Sequence, residues 1–202
     1  MSFDAIFFDF DGVLVDSEPV HFRCWREVLE PFEIDLDWTA YARDCIGVSD
    51  IDMLNYLAGR SRRQMVGEDL RPVYQVKKRR FLEMALELDL VGAETLDLMR
   101  SLDGLPIAVV TSSGRTEVEP ILARTGVLPL LATAVYGEDA PRRKPAPDPY
   151  QLAARRTGAR RPLVVEDSDA GAASARAAGF DLVRVATAAE VPAKVRQALQ
   201  QV

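Results

Sequence analysis

Two aspartates stand close together at the end of an apolar run near the start of the chain. Asp9 and Asp11 follow the segment Ala5–Phe8, whose residues are those of a buried β-strand. Side chains two residues apart on an extended chain point the same way, so both carboxylates are expected to converge on one small volume. Two like charges held so close must be metal-bound, share a proton or perform different tasks. The pair therefore predicts chemistry, because carboxylates at the end of a core strand are costly unless something compensates them.

Two further groups of polar residues also follow apolar segments directly. The hydroxyl-rich run Thr111–Gly114 comes after Ile107–Val110 and opens a predicted helix. Hydroxyl and backbone N–H groups at such a position form an anion site, although serine and threonine are also ordinary helix caps. Glu166 and Asp167 come after Leu163–Val165, where adjacent carboxylates leaving a buried strand again favour a chemical role.

A proline-rich segment, Arg142–Pro149, carries a candidate catalytic lysine. Its alternating prolines stiffen the chain and present Lys144 on a rigid arm, whereas a surface loop with solvated cations is the alternative. Asp148 is predicted to be the N-cap of a helix whose first residue is Pro149. Asp169 is likewise predicted to be the N-cap of the helix after the second acidic pair.

Together these residues supply the parts of a phosphoryl transfer to an aspartate. Hard carboxylate oxygens suit Mg²⁺, which binds through a few carboxylates and a substrate phosphate. A lysine and a helix N-terminus can stabilise the transferring phosphoryl oxygens. The order acidic pair, hydroxyl, lysine, acidic pair predicts this chemistry more strongly than any of the four groups alone.

The elements that position these residues form an α/β pattern. Five short apolar runs are predicted strands: Ala5–Phe8, Ile107–Val110, Thr133–Tyr136, Leu163–Val165 and Leu182–Val185. From the second onward they alternate with helix-length segments, which indicates a Rossmann-like parallel five-stranded sheet flanked by helices. About a hundred residues separate the first two strands, far more than one crossover helix needs. Helical periodicity at 17–30, 37–45, 50–58 and 68–88 predicts an inserted all-helical domain.

The predicted domains are a catalytic α/β core at residues 1–14 and 90–202 and a helical cap at residues 15–89. Both connections to the cap leave from the ligand-binding edge of the sheet. We therefore expect the cap to act as a lid, the alternative being a decoration that merely extends the core.

Composition and charge limit the partners of the chain. The 202 residues are 48% hydrophobic with a net charge of −6, which argues against nucleic acid or an anionic membrane as the main partner. No apolar stretch reaches membrane-spanning length, and Asp4 comes too early for a signal peptide, so a cytoplasmic protein is expected. Cys24 and Cys45 are predicted to be buried thiols in a reducing compartment. The basic run Lys77–Arg80 is predicted to be a solvated helix face.

The four polar groups resemble the signatures of the haloacid dehalogenase superfamily, in its phosphatase and phosphomutase branch with a helical cap. The resemblance covers almost the full length and rests on four segments: Phe8–Leu14, Val110–Ser113, Lys144-Pro145 and Val165–Ser168. The Asp-Gly-Val triplet followed by Asp16-Ser17-Glu18 is typical of relatives of β-phosphoglucomutase.

The resemblance implies a role for each matched residue. Asp9 would attack phosphorus and form an aspartyl-phosphate. Asp11 would protonate the leaving oxygen and then activate water. Thr111 and the backbone of Ser112 would hold the phosphoryl oxygens, and Lys144 would neutralise Asp9 and the phosphate.

The same resemblance implies a Mg²⁺ site. Its ligands would be Asp9, the backbone carbonyl of Asp11, and Asp167, with Glu166 binding directly or through water. An aspartate at position 11, in place of a neutral residue, argues against the metal-free dehalogenase branch.

Residues of the predicted cap bear on the substrate. By resemblance to the β-phosphoglucomutases, His21, Lys77 and Gly47 are candidate substrate-binding residues. The alternative for His21 is a place on the first cap helix, with Trp25 in the cap core. The mutases carry an arginine that grips a second phosphate where this chain has Asp50, and a carboxylate there would repel a phosphate.

The sequence thus predicts a Mg²⁺-dependent phosphatase of a small phosphorylated metabolite, with sugar phosphates favoured. A sugar phosphomutase is the alternative, for which another cation such as Arg43 or Arg60 would have to replace the missing arginine. A catalytically silent protein that binds phosphometabolites is a second alternative, disfavoured because the catalytic positions all hold competent residue types. The chain is expected to be a monomer or a weak dimer.

Overall fold

A computed structural model describes residues 2–46, 48, 50–102 and 104–200 of the chain. The chain divides into two compact units, one formed by Met1–Asp16 with Asp89–Val202 and the other by Ser17–Leu88. We call them the α/β unit and the helical unit. Their assignment as catalytic core and cap, with the boundaries given above, remains a prediction.

The α/β unit is built on one parallel sheet. Its strands are β1 (Ala5–Phe8), β2 (Ile107–Val110), β3 (Thr133–Val135), β4 (Pro162–Glu166) and β5 (Asp181–Arg184). They are hydrogen-bonded in the order β3-β2-β1-β4-β5, and each neighbouring pair is parallel. The predicted five-stranded parallel sheet is confirmed.

The strand sequences explain the position of β1 at the centre. All four residues of β1 are buried, and Phe8 pairs with Val109 of β2 and Val165 of β4. A strand covered on both faces has a continuous apolar sequence because neither face meets water. The chain adds β2 and β3 on one side of β1 and β4 and β5 on the other. Such a change of direction opens a crevice at the carboxyl ends of the central strands, which is where α/β sheets bind ligands.

The helical unit consists of four α-helices in the described part of the chain. They are α1 (Glu18–Leu29), α2 (Trp38–Asp44), α3 (Asp50–Gly59) and α4 (Arg71–Glu87). Trp25 of α1 is buried and stacks on Tyr74 of α4, with ring centroids 5.7 Å apart. The unit therefore has its own apolar core, and Trp25 lies in it, as the alternative given for the His21 segment states.

In the described part of the α/β unit, one α-helix precedes β2 and one follows each of β2, β3, β4 and β5. They are α5 (Ala93–Ser101), α6 (Arg115–Arg124), α7 (Asp148–Thr157), α8 (Asp169–Ala177) and α9 (Val191–Gln200). None of the helices in the described ranges is long and apolar enough to span a membrane.

Two predicted helix caps are wrong by one residue. Helix α7 is capped by Pro147, and Asp148 is its first residue, where its carboxylate binds the Arg142 guanidinium at 2.8 Å. Helix α8 is capped by Ser168, whose hydroxyl accepts from Gly171 N, and Asp169 is the first helical residue. A carboxylate in the first turn of a helix is still favoured by the helix dipole, which explains why acidic residues occupy both positions.

The two cysteines are buried and unoxidised, as predicted. Cys24 Sγ lies 3.5 Å from Met84 Sδ, in the interior between α1 and α4. Burial raises the pKa of both thiols, so they behave as small apolar side chains.

Candidate active site

The predicted catalytic residues of the α/β unit meet at the carboxyl edge of the sheet. Asp9 comes directly after β1, and its backbone N–H donates to Val165 O at 3.0 Å. Thr111 comes directly after β2, and its N–H donates to Val135 O at 2.9 Å. Since β1 lies between β2 and β4, the residues that follow these three strands are brought to one place.

Lys144 is buried in this place and binds three acceptors. Its Nζ lies 2.8 Å from Asp9 Oδ1, 2.8 Å from Val110 O and 2.6 Å from Glu166 Oε1. Only 5% of its side chain is exposed. An ammonium group has three N–H donors, so all three are used within the protein. The alternative of a solvated cation on a surface loop is excluded for Lys144.

Glu166, the last residue of β4, is the most heavily bonded carboxylate of the site. Its side chain is fully buried, and its Oε1 accepts from Lys144 Nζ and from the Tyr150 hydroxyl, at 2.6 and 2.8 Å. Its Oε2 accepts from Asp167 N at 3.2 Å, Ser168 N at 3.3 Å and Ser168 Oγ at 3.1 Å. A carboxylate has about four lone-pair sites, and these five donors use them. Glu166 therefore acts within the protein chiefly as an anchor for Lys144 and for the start of α8.

Two glycines make room for the acidic pair. A Cβ at Gly171, in the first turn of α8, would overlap the Glu166 carboxylate. A Cβ at Gly12 would overlap Asp167 Oδ2, and Gly12 also has a φ of +73°, which favours glycine. Tyr150 and Gly171 were not among the predicted site residues. Gly171 could not be recognised from the sequence, because most residues of α8 are small and one more glycine does not stand out.

Asp11 is held by the segment that follows β2. The Ser113 hydroxyl donates to Asp11 Oδ2 at 2.9 Å, and Ser113 N donates to Thr111 Oγ1 at 3.0 Å. Thr111 is buried, whereas Ser112 is exposed at the same edge. The sequence placed Ser113 in the hydroxyl-rich run without a role, and the structure shows it as a direct partner of Asp11.

The electrostatics of the site favour a bound cation. Burial raises the pKa of Asp9 to about 8, with further contributions from the charges of Glu166 and Asp11 and opposition from Lys144. Burial and the charge of Glu166 also raise the pKa of Asp167. Burial, and then the excess of carboxylates over the one lysine, destabilises their ionised forms.

The donor set fits a hard divalent cation. Carboxylate oxygens of Asp9, Glu166 and Asp167 all lie within 4.8 Å of one another. Hard oxygen ligands in such a group suit Mg²⁺, whose two positive charges would offset the excess negative charge. Because protein donors already surround Glu166, Asp9 and Asp167 are the better candidates for direct ligands.

Two of the predicted substrate-binding residues meet in the helical unit. Lys77 Nζ of α4 lies 2.6 Å from His21 Nδ1 of α1, and the His21 ring stacks on Phe81 at 3.8 Å between centroids. Lys77 is 6% exposed, so the prediction of a solvated face is wrong at this position. The reason is that α4 turns Lys77 towards α1, where its Nζ lies 5.5 Å from the Trp25 ring. Burial, together with the charges of Lys77 and Lys78, lowers the pKa of His21 well below its usual value.

The remaining predictions for the helical unit concern residues that could bind a substrate or its second phosphate. Gly47 lies outside the described residues, and Asp50 is the first residue of α3. Arg43 forms a two-point ion pair with Asp44, at 2.7 and 2.9 Å. Arg60 donates to Asp35 O at 2.8 and 3.0 Å and to the Tyr56 hydroxyl at 3.1 Å. Both arginines are therefore committed within the unit.

Comparisons with known proteins identify the family of the chain. A model of the haloacid dehalogenase-like hydrolases matches residues 3–179. The chain is 31% identical over 195 residues to the fructose-1-phosphate phosphatase YqaB of Escherichia coli, covering 90% of this chain and 95% of that protein. It is 30% identical over 187 residues to a phosphorylated carbohydrates phosphatase of Thermotoga maritima, covering 89% and 83%.

A solved structure shares the fold. A HAD family hydrolase from Deinococcus radiodurans R1, with bound phosphate and sodium, is 30% identical with a TM-score of 0.71, over 91% of this chain and 80% of that one. The parallel sheet, the acidic site at its carboxyl edge and the family match together define the class of protein. The chain belongs to the haloacid dehalogenase-like hydrolases.

Proposed function

We propose that this enzyme is a Mg²⁺-dependent phosphatase that hydrolyses a small phosphorylated carbohydrate through an aspartyl-phosphate. Family membership and phosphatase relatives support a phosphoric monoester hydrolase. The observation that carries the mechanism is the buried bond of Lys144 Nζ to Asp9 Oδ1, in a group of carboxylates that fits Mg²⁺. A buried carboxylate beside a fixed positive charge supports the role of nucleophile for Asp9.

The first step transfers the phosphoryl group to Asp9. A carboxylate oxygen of Asp9 attacks phosphorus, the bond from phosphorus to the ester oxygen breaks, and Asp11 donates a proton to the leaving alcohol. Lys144 favours the ionised form of Asp9 before attack and remains beside the phosphoryl group afterwards. Thr111 and the backbone of Ser112 lie at the same sheet edge and are assigned to the phosphoryl oxygens.

The second step releases phosphate. Asp11, now ionised, takes a proton from water, and the hydroxyl oxygen attacks phosphorus while the bond to Asp9 breaks. Ser113 holds Asp11 at 2.9 Å and so orients the carboxylate that moves the proton in both steps. When bound at Asp9, Asp167 and the backbone carbonyl of Asp11, Mg²⁺ supplies charge neutralisation for the phosphoryl group.

The direct test is a turnover screen with the variant Asp9→Asn. We expect wild type to release phosphate from one or more sugar, polyol or nucleotide phosphates only with Mg²⁺, and Asp9→Asn to lose at least a thousandfold in kcat. Asp97→Asn is the matched control, since Asp97 lies on α5 in an exposed pair with Arg100. Near-normal activity of Asp9→Asn would refute the mechanism.

The screen also distinguishes a phosphatase from the alternative of a catalytically silent binding protein. Such a protein would bind a phosphate ester or inorganic phosphate tightly, yet release no phosphate from any compound tested. The complete set of Asp9, Asp11, Thr111 and Lys144 at one edge of the sheet supports turnover instead.

A further inference from the structure

Tyr150, in the first turn of α7, is a buried tyrosine whose hydroxyl reaches the active site. It is 0% exposed, and its hydroxyl donates to Glu166 Oε1 at 2.8 Å. The same oxygen accepts from Lys144 Nζ at 2.6 Å, and Lys144 Nζ lies 5.0 Å from the centroid of the Tyr150 ring. Tyr150 therefore contacts both members of the ion pair that fixes Lys144.

The ring and the hydroxyl of Tyr150 have separate tasks. Packing between α7 and the sheet needs an aromatic ring, and phenylalanine would supply it equally well. The hydroxyl adds one donor directed at one oxygen of a fully buried carboxylate. Burial and the charge of Glu166 raise the pKa of Tyr150 well above its usual value, so the hydroxyl keeps its proton.

We propose that Tyr150 is a positioning residue that holds Lys144 on Asp9 through Glu166. The proposal rests on the proposed function, since it concerns the nucleophile of that reaction. The tyrosine hydroxyl donates to one lone pair of Glu166 Oε1, so only the other lone pair can accept from Lys144. The ammonium group can therefore approach this oxygen from one direction only. In that direction Lys144 also reaches Asp9 Oδ1 and Val110 O, both at 2.8 Å.

Loss of the Tyr150 hydroxyl would change how the Lys144 ammonium group divides its hydrogen bonds between Asp9 and Glu166. Glu166 Oε1 would then keep Lys144 as its one donor, and the buried lone pair left by the tyrosine hydroxyl would compete for the ammonium group. Lys144 already lies 2.6 Å from Oε1, so its Nζ would shift around this oxygen towards the vacated lone pair, and its bond to Asp9 would lengthen. The effect falls on the chemical step, because the nucleophile loses its fixed positive charge, while substrate contacts elsewhere are untouched.

The test compares Tyr150→Phe with Tyr136→Phe. Tyr136 is also buried in the α/β unit, but its ring packs under the Arg115 guanidinium, 4.2 Å from the centroid. We expect Tyr150→Phe to lower kcat about tenfold with KM within about twofold of wild type, and Tyr136→Phe to leave both unchanged. In crystals of Tyr150→Phe, the distance from Lys144 Nζ to Asp9 Oδ1 should exceed hydrogen-bonding range.

Each other outcome contradicts the proposal. An unchanged kcat with a lowered Tm means that the hydroxyl only stabilises the fold. A raised KM with an unchanged kcat means that Tyr150 affects substrate binding, and an equal loss in Tyr136→Phe means a general effect of the substitution. If wild type hydrolyses no phosphate ester, the proposed function fails by itself. The Lys144–Asp9 distance in the Tyr150→Phe crystal then decides the positioning role.

Discussion

At the scale of single residues, the site has more carboxylates than cations, and this imbalance gives the carboxylates different roles. Lys144 is shared between Asp9 and Glu166, whereas Asp167 meets no lysine at hydrogen-bonding distance among the described ion pairs. Glu166 is already satisfied by five donors. The two acidic neighbours therefore differ in role: Glu166 fixes Lys144, and Asp167 is proposed as the metal ligand.

This difference predicts a selective effect on metal binding. Asp167→Asn should weaken Mg²⁺ binding about tenfold or more, because one charged oxygen ligand is lost. Asp169→Asn should leave it unchanged, since Asp169 lies two residues further on with an exposed carboxylate 3.3 Å from Arg184. Calorimetric titration with Mg²⁺ alone measures this without turnover. Equal affinities for wild type and Asp167→Asn would remove Asp167 from the ligand set.

At the scale of elements, helices α1 and α4 create an unusual environment for a histidine. A lysine ammonium donates to His21 Nδ1, so the neutral imidazole must carry its proton on Nε2. Each helix alone would present a polar residue to water. Packed together, with Phe81 under the imidazole ring, they bury both groups.

The pair predicts an abnormal titration of His21. Its pKa in the folded protein is lowered, so the folded protein stays neutral there while the unfolded chain takes up a proton near pH 6.5. The contribution of His21 to the free energy of unfolding should therefore be constant above pH 6.5 and should fall as the pH drops below it. His21 is the only histidine in the sequence, so NMR of the imidazole follows it without ambiguity.

Two variants separate the causes of this titration. Lys77→Met should raise the pKa of His21, yet leave it below 6.5, because burial is the larger cause and remains. Arg79→Met is the control, since Arg79 is exposed on the same helix and should have no effect. A wild-type imidazole that titrates at its usual pKa would show that the pair does not form in solution.

At the scale of the whole molecule, the choice between phosphatase and mutase depends on a grip for a second phosphate. A mutase must hold a bisphosphate intermediate in two orientations, which requires a cation remote from the nucleophile. Arg43 and Arg60, the candidates for that cation, are bound to Asp44 and to Asp35 O. Both would have to exchange existing contacts for a phosphate, which supports the proposal of a phosphatase.

The corresponding prediction concerns products. With β-glucose 1-phosphate, Mg²⁺ and a bisphosphate primer, the enzyme should form inorganic phosphate in excess over glucose 6-phosphate. Asp50→Arg would supply the missing cation and should increase the share of glucose 6-phosphate. Product analysis by NMR distinguishes the two sugars and phosphate in one sample. Efficient isomerisation by wild type would overturn the phosphatase assignment.

The order of the elements and most of the candidate site residues could be predicted from the sequence alone. Apolar runs such as Ala5–Phe8 are strands because a strand buried on both faces cannot carry alternating polar residues. Asp9 and Glu166 could be predicted as site residues because charged groups beside such strands need a chemical reason. Lys144 was a candidate from its proline-rich segment, and its burial became evident only in the structure.

Contacts between residues distant in the chain were decided only by the tertiary structure. The periodicity of the sequence predicted that Lys77 lies on a helix. Its burial beside His21 depends on the packing of α4 against α1, which the periodicity does not show. In the sequence, Tyr150 looks like an ordinary aromatic core residue of a helix. Its hydroxyl binds Glu166, 16 positions away, and no local pattern indicates that contact. A sequence records residue types and their spacing, while the direction of a hydrogen bond is fixed only when strands and helices pack.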